Sequence, residues 1–283
     1  MDTLPESMRK GIISYYEQSS PHYNNWGKDL EREGIYALHV GYTIPGQPTD
    51  HYEEVKRMTR HLINTSNIKD KEIVVDAGCG TGSLAFEIGV QFPQSIVYGI
   101  NIVQHQLDIA EAFKVQHGVV NVHFLNQDYN RTTLPDQSID KIIFAESLIH
   151  AHSKLALMQE MARIIKSSGT ITIEDSFLLR ETDVSEMEHR HQLEESWVLP
   201  PIIDIITMVE ILHETGFTEI EVRDITENAF PSVRMAGENA AKRLVEQTDS
   251  DQRTLLNRVA MVANMELVRT GQIGYSIITA KRS

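Results

Sequence analysis

Residues 74–82 read VVDAGCGTG, and everything else in the chain can be placed from this stretch. A β-branched pair runs into an acid, Asp76, and then into three alternating glycines, Gly78, Gly80 and Gly82, before apolar residues at helical spacing begin at Leu84. The pattern is strand, turn, helix. Glycines at the turn allow a tight bend and a close backbone approach to a ligand, so the stretch points to a nucleotide-like molecule. A dinucleotide fingerprint would need its third glycine three residues after the second, where this chain has Ser83. A phosphate-cradling loop would need Gly-Lys-Ser/Thr, and no lysine follows. The acid two residues before Gly78 suits a cationic ligand end instead. The same stretch can also be read as a glycine-rich turn that binds nothing.

Outward from the loop, β-branched runs alternate with helical stretches, which predicts parallel strands joined by crossover helices. The runs are 73–77, 95–101, 121–125, 141–146 and 170–175; Leu84–Phe92, Gln104–Gln116 and Lys154–Lys166 are the helical stretches between them. Two further strand-like segments, 217–225 and 273–280, flank a long helical stretch and predict an antiparallel strand at the sheet edge. Before residue 70 the pattern is helical and aromatic. The expected organisation is therefore a helical N-terminal lid over 1–70 and an α/β core over 71–283, with a cap inserted at about 176–216 around the acidic, Pro-paired segment from Arg180 to Pro201.

Asp-x-Gly-x-Gly-x-Gly resembles the first motif of the class I S-adenosylmethionine-dependent methyltransferases. The resemblance implies a Rossmann-like, mostly parallel sheet with S-adenosyl-L-methionine as cofactor, held by Asp76, Gly78, Gly80 and Gly82. It also implies that Asn101, closing the second strand, and Gln106, in the next helical turn, read the ribose, and that Asp128, after the third strand, accepts from the adenine amino group. From the residues alone, Asn101 and Gln106 can equally be a helix cap or solvated, and Asp128 a turn former. The likeness narrows further. Gly99 to Gln106 resembles a segment of the sterol C-methyltransferases, as do Glu146 to Ala151 and the stretch YYEQSSPHYNNWG at 15–27, where Glu17 replaces an aspartate. The segment HVGY at 39–42 is more similar to small-molecule enzymes of the tocopherol and prenyl type. The last 60 residues match neither pattern.

Glu146 and His150 follow the fourth strand, at the carboxyl edge where open α/β sheets place their sites. Four residues apart, both can face one pocket, and an imidazole titrating near neutrality makes His150 the preferred proton acceptor. Glu146 can alternatively hold the cofactor or cap a helix. Six of the 19 aromatic residues lie in the first 42, against roughly three for an even spread. These rings fit a lid over cofactor and acceptor, with Tyr16 on the catalytic side and Tyr23 and Trp26 toward the cofactor; they equally fit the core of a helical cap. His152 is expected to point away. His189 and His191 are two apart on a helical segment and so sit on different faces, and no resident metal is expected, although a magnesium ion brought by a diphosphate substrate could dock there.

Lys and Arg number 26 against 40 Asp and Glu, a formal charge of −14 that opposes binding to a nucleic acid backbone. No run of about 18 apolar residues predicts a membrane span, and the first ten residues have no signal-peptide character, so a cytoplasmic location is expected. Cys79 is the single cysteine, which excludes an internal disulfide. The reading that follows is a methyltransferase of a small, largely apolar metabolite, possible as a homo-oligomer. Carbon methylation of an isoprenoid-like alkene is favoured by the sterol likeness; transfer to oxygen or nitrogen of a natural product is the alternative, and a non-catalytic cofactor-binding protein a third reading.

Overall fold

The computed structural model describes residues 5–26, 37–47, 50–180, 187–246 and 251–283, with the side chains of 20–26 left aside. Seven strands form one sheet: β1 (Ile73–Ala77), β2 (Ile96–Asn101), β3 (Val122–Asn126), β4 (Ile139–Ala145), β5 (Ile165–Leu178), β6 (Phe217–Asp224) and β7 (Ile273–Arg282). Their order is β3-β2-β1-β4-β5-β7-β6. β1 to β5 pair in parallel, and β7 runs antiparallel toward the β6 rim, bonded to β5 on one side and β6 on the other. The central strands consist of near-continuous Val and Ile because helices cover both their faces. β6 at the rim is mostly exposed and charged, and a register shift between Thr218 and Glu221 breaks its outer edge, which discourages pairing with another sheet.

Three helices occupy the stretches expected of them: α3 (Ser83–Gln91), α4 (Gln104–Gln116) and α5 (Lys154–Ile164). Two domain expectations need correction. The helix α2 (His51–Thr65) is not lid material: it buries Val55, Met58, Leu62 and Ile63, and Ser66 just beyond it donates to Thr172 on β5 at 2.9 Å. Nor does a cap run from 176 to 216. Residues 176–178 belong to β5 and pair with β7, while α7 (Ile205–Glu214) buries Met208 and Leu212 in the core of the sheet and turns through Gly216 (φ +85°) into β6. The reason is periodicity: apolar residues at 205, 208, 211 and 212 make one stripe that must be covered, and the sheet covers it. What projects is α6 (Met187–Ser196), packed with α8 (Thr226–Glu246) and α9 (Gln252–Arg269) above the carboxyl ends of the strands. The first helix, α1 (Glu6–Trp26), rests on α9. No described helix is long and apolar enough to cross a membrane.

Candidate active site

A cavity opens at the carboxyl ends of β1, β2, β4 and β5 and runs up to the helical layer.

The glycine loop forms its floor. Gly78, Gly80 and Gly82 all adopt positive φ (82°, 54° and 82°), and Gly78 N–H donates to Ile100 at 2.8 Å, closing the turn against β2. Their surroundings differ. A Cβ on Gly78 would meet Ser147 at 2.4 Å, and one on Gly82 the Phe124 ring at 2.6 Å, so packing alone requires glycine at both. A Cβ on Gly80 would meet nothing within 4 Å, because that glycine looks into the cavity. Asp76, 2% exposed, takes the Ala85 N–H at 3.1 Å. Burial raises its carboxyl to about 7, with the Ala85 N–H pulling the other way.

Asn101 and Gln106 meet beside the loop. Asn101 donates to the Gly80 carbonyl at 3.2 Å and to Gln106 Oε1 at 2.8 Å, and its own oxygen takes the Val103 N–H. Its side chain therefore holds the loop, whereas Gln106 Nε2, in a residue 2% exposed, has no partner. Asp128 spends one oxygen on the N–H and side chain of Asn130, at 2.8 and 2.7 Å, and lines the same cavity. The bonds to Asn130 are those of the turn former, and the place on the cavity wall leaves the expected contact with an adenine amino group open to Asp128.

At the other end Glu146 leaves β4 with φ +47°, a strained conformation for a side-chain-bearing residue. Its carboxyl takes the Val40 N–H, and burial, opposed by that bond and reinforced by Asp175, raises it to about 8. The HVGY segment is thereby wired into the site: Val40 reaches Glu146, and Gly41 N–H reaches Ser232 Oγ on α8 at 3.0 Å. His150 ends a short 3-10 turn, Leu148–His150. Its Nε2 lies 2.8 Å from the Tyr16 hydroxyl on α1, while Nδ1 has no partner. Burial, then the charge of Lys154, lowers it to about 4, so the ring is neutral at physiological pH. His152 is exposed, as expected. Tyr23 and Trp26 fall in the last turns of α1, but their side chains lie outside the described residues.

Several cavity residues escaped the sequence reading. Asp175 sits at the carboxyl end of β5, where the strand-end rule that found Glu146 could have found it. Asn264 on α9 donates to the Tyr275 hydroxyl on β7 at 3.1 Å, and both line the cavity from the terminal 60 residues. Asn257 of α9 takes hydrogen bonds from Tyr15 (3.1 Å) and Trp197 (2.8 Å), tying α1 and the end of α6 to one point. No spacing rule in the sequence could connect these.

A seven-stranded sheet in this order, with an acid and a glycine turn at β1 facing a cavity, defines a Rossmann-like methyltransferase of class I. The comparison with known families agrees: residues 68–278 match the family described as "Methyltransferase domain", and the chain belongs to it. It is 25% identical over 217 residues to a sterol 24-C-methyltransferase of Gibberella zeae, covering 75% of this chain but only 56% of that protein. With an O-methyltransferase of Aspergillus sclerotiorum the identity is 28% over 255 residues, 87% of this chain and 89% of the other. The solved geranyl diphosphate C-methyltransferase of Streptomyces coelicolor A3(2), in complex with Mg2+, geranyl-S-thiolodiphosphate and S-adenosyl-L-homocysteine, superposes with a TM-score of 0.80 over all of both chains at 16% identity, a likeness of fold.

Proposed function

We propose that this enzyme moves a methyl group from S-adenosyl-L-methionine to the hydroxyl of a small, largely apolar acceptor. One observation supports this most: a single cavity joins the glycine loop to the Tyr16–His150 pair. The loop end fits the cofactor by its chemistry. Gly80 faces open space, Asp76 offers a carboxylate to an ammonium, and Gln106 Nε2 is a buried donor awaiting an acceptor such as a ribose hydroxyl. Gly78 and Gly82 shape the turn, Asn101 fixes loop and Gln106 together, and Asp128 stands where an amino group can donate. Bound there, the cofactor supplies an electrophilic methyl on its sulfonium sulfur.

The chain's own task lies at the acceptor. If Nε2–H donates to the Tyr16 oxygen, the lone pair is on Nδ1, the nitrogen without a partner. A neutral imidazole held this way takes the proton of an acceptor hydroxyl as oxygen gains its methyl. Ile12, Ile149, Val233 and Met261 around it offer an apolar bed, and α1 with the α6 segment serves as the lid that keeps water out. The relative matched nearly end to end, an O-methyltransferase, supports oxygen as the atom.

Carbon methylation is the second reading. Glu146 and Asp175 share the same cavity and can offset a cation developing on an alkene, after which His150 removes a proton. The sterol and geranyl diphosphate relatives support it. Incubation with 13C-methyl cofactor and panels of phenols, alcohols and isoprenoid alkenes, with product NMR, separates the two: an O–CH3 signal supports the first and a new C–CH3 the second. Folded protein that fails to bind the cofactor in calorimetry sinks both.

A further inference from the structure

His150 stands on a turn that is gripped from two sides. From β5, Asp175 (1% exposed) takes the Ile149 N–H at 2.9 Å with one oxygen and the Ser176 N–H at 2.8 Å with the other. From the first turn of α5, Lys154 (6% exposed) donates to the Ile149 carbonyl at 3.0 Å and to the Ala151 carbonyl at 2.8 Å. A buried lysine is costly, and this one spends its ammonium on main-chain oxygens either side of His150 rather than on a carboxylate in direct contact. A helix or strand could have satisfied the same carbonyls without a charge.

We propose that Asp175 and Lys154 are positioning residues that clamp the His150 turn by its N–H and its carbonyls, so that the imidazole meets Tyr16 and the cavity in one orientation. The inference rests on the reading of His150 as the acceptor-side group. Electrostatics run the same way. The groups facing the ring are the Tyr16 hydroxyl from α1 and the Lys154 ammonium from α5, with Asp175 on β5 facing Lys154 in turn. Burial, then the positive charge of Lys154, disfavours protonated His150. Lys154 is itself lowered to about 8 by burial, against the pull of Asp175 and Glu194. The clamp thus holds the turn and keeps the ring neutral.

The test uses the full chain labelled at histidine, with His150→Gln to assign the signal, and needs no acceptor. In Lys154→Met the NMR titration midpoint of His150 should rise by about half a pH unit or more, the scale of one nearby charge. In Asp175→Ala the Ile149 amide should exchange at least about tenfold faster while β4 amides such as Ile142 keep their protection. A His150 midpoint at its wild-type position in folded Lys154→Met, or unchanged Ile149 exchange in Asp175→Ala, overturns the proposal. Should Lys154→Met not fold, Lys154→Gln keeps one donor without the charge and answers the same question. Neither readout involves methyl transfer. Moved signals in a protein that methylates nothing leave the clamp standing and fail the functional reading alone; unmoved signals in an active methyltransferase fail the clamp alone.

Discussion

The three loop glycines look alike in the sequence and do different work. Gly82→Ala forces a Cβ into the Phe124 ring from a positive-φ backbone, and a loss of about 3 kcal/mol in denaturant unfolding is expected. Gly80→Ala bears only the backbone strain, about 1–2 kcal/mol, yet places its methyl in the cavity. Its expected signature is a folded protein with weakened cofactor binding by calorimetry, and unchanged affinity would remove the loop from the cofactor site. Asp76→Asn should retain the Ala85 contact and fold normally while losing about 10- to 100-fold in affinity, the worth of one charge-assisted hydrogen bond. Because burial holds the Asp76 carboxyl near 7 in the free protein, wild-type affinity should climb between pH 6 and 8 as the acid ionises. A flat pH profile would speak against an ionic contact.

At the scale of elements, α1 is fastened by Tyr15 to Asn257 and by Tyr16 to His150. Asn257→Leu removes the shared acceptor of Tyr15 and Trp197, so limited proteolysis should cut within α1 faster while the sheet core stays resistant. Equal cleavage rates in variant and wild type would argue against α1 as a separable lid. The elements themselves were largely legible. A period of two or of 3.6 is local, so β1 to β4 and α3 to α5 could be read to within a residue or two. Element roles could not. α2 and α7 have the amphipathic pattern of any surface helix, and only the stripe each buries against the sheet distinguishes a core layer from a lid.

For the whole molecule, buried titrating groups make stability depend on pH. His39 and His150 are lowered from 6.5 to about 4, so the unfolded chain binds their protons first; their contribution is complete above pH 6.5 and is lost as pH falls toward 4. Asp175, Asp76 and Glu146 are raised to about 6, 7 and 8, so the native state holds their protons, and the stability they add is lost as pH rises through those values. Between pH 6.5 and 8.5 Lys154, lowered by burial to about 8, and the last protons of the unfolded histidines act the other way, and the three acids outweigh them. The cofactor-free protein should therefore show a lower Tm at pH 8.5 than at 6.5, and a Tm that rises over that interval would contradict the burial of these carboxyls.

Site legibility followed the same division by range. That the glycine turn, its acid and Asn101, Asp128, Glu146 and His150 would gather at one cavity was readable, because strand-turn-helix chemistry is written in consecutive residues and a parallel sheet delivers the ends of its strands to one edge. Asn257, Asn264, Tyr275 and the Lys154–Asp175 grip were not. Each depends on segments more than 10 residues apart, or on a side chain whose neighbours are chosen by how α1, α6, α8 and α9 stack over that edge. The chain's own letters settle the sheet and the turn, since those follow from local backbone preference, and the class of reaction was implied by the resemblance that the turn carries. The shape and lining of the acceptor chamber come from long-range packing, where the cost of burying polar groups selects which distant partners meet.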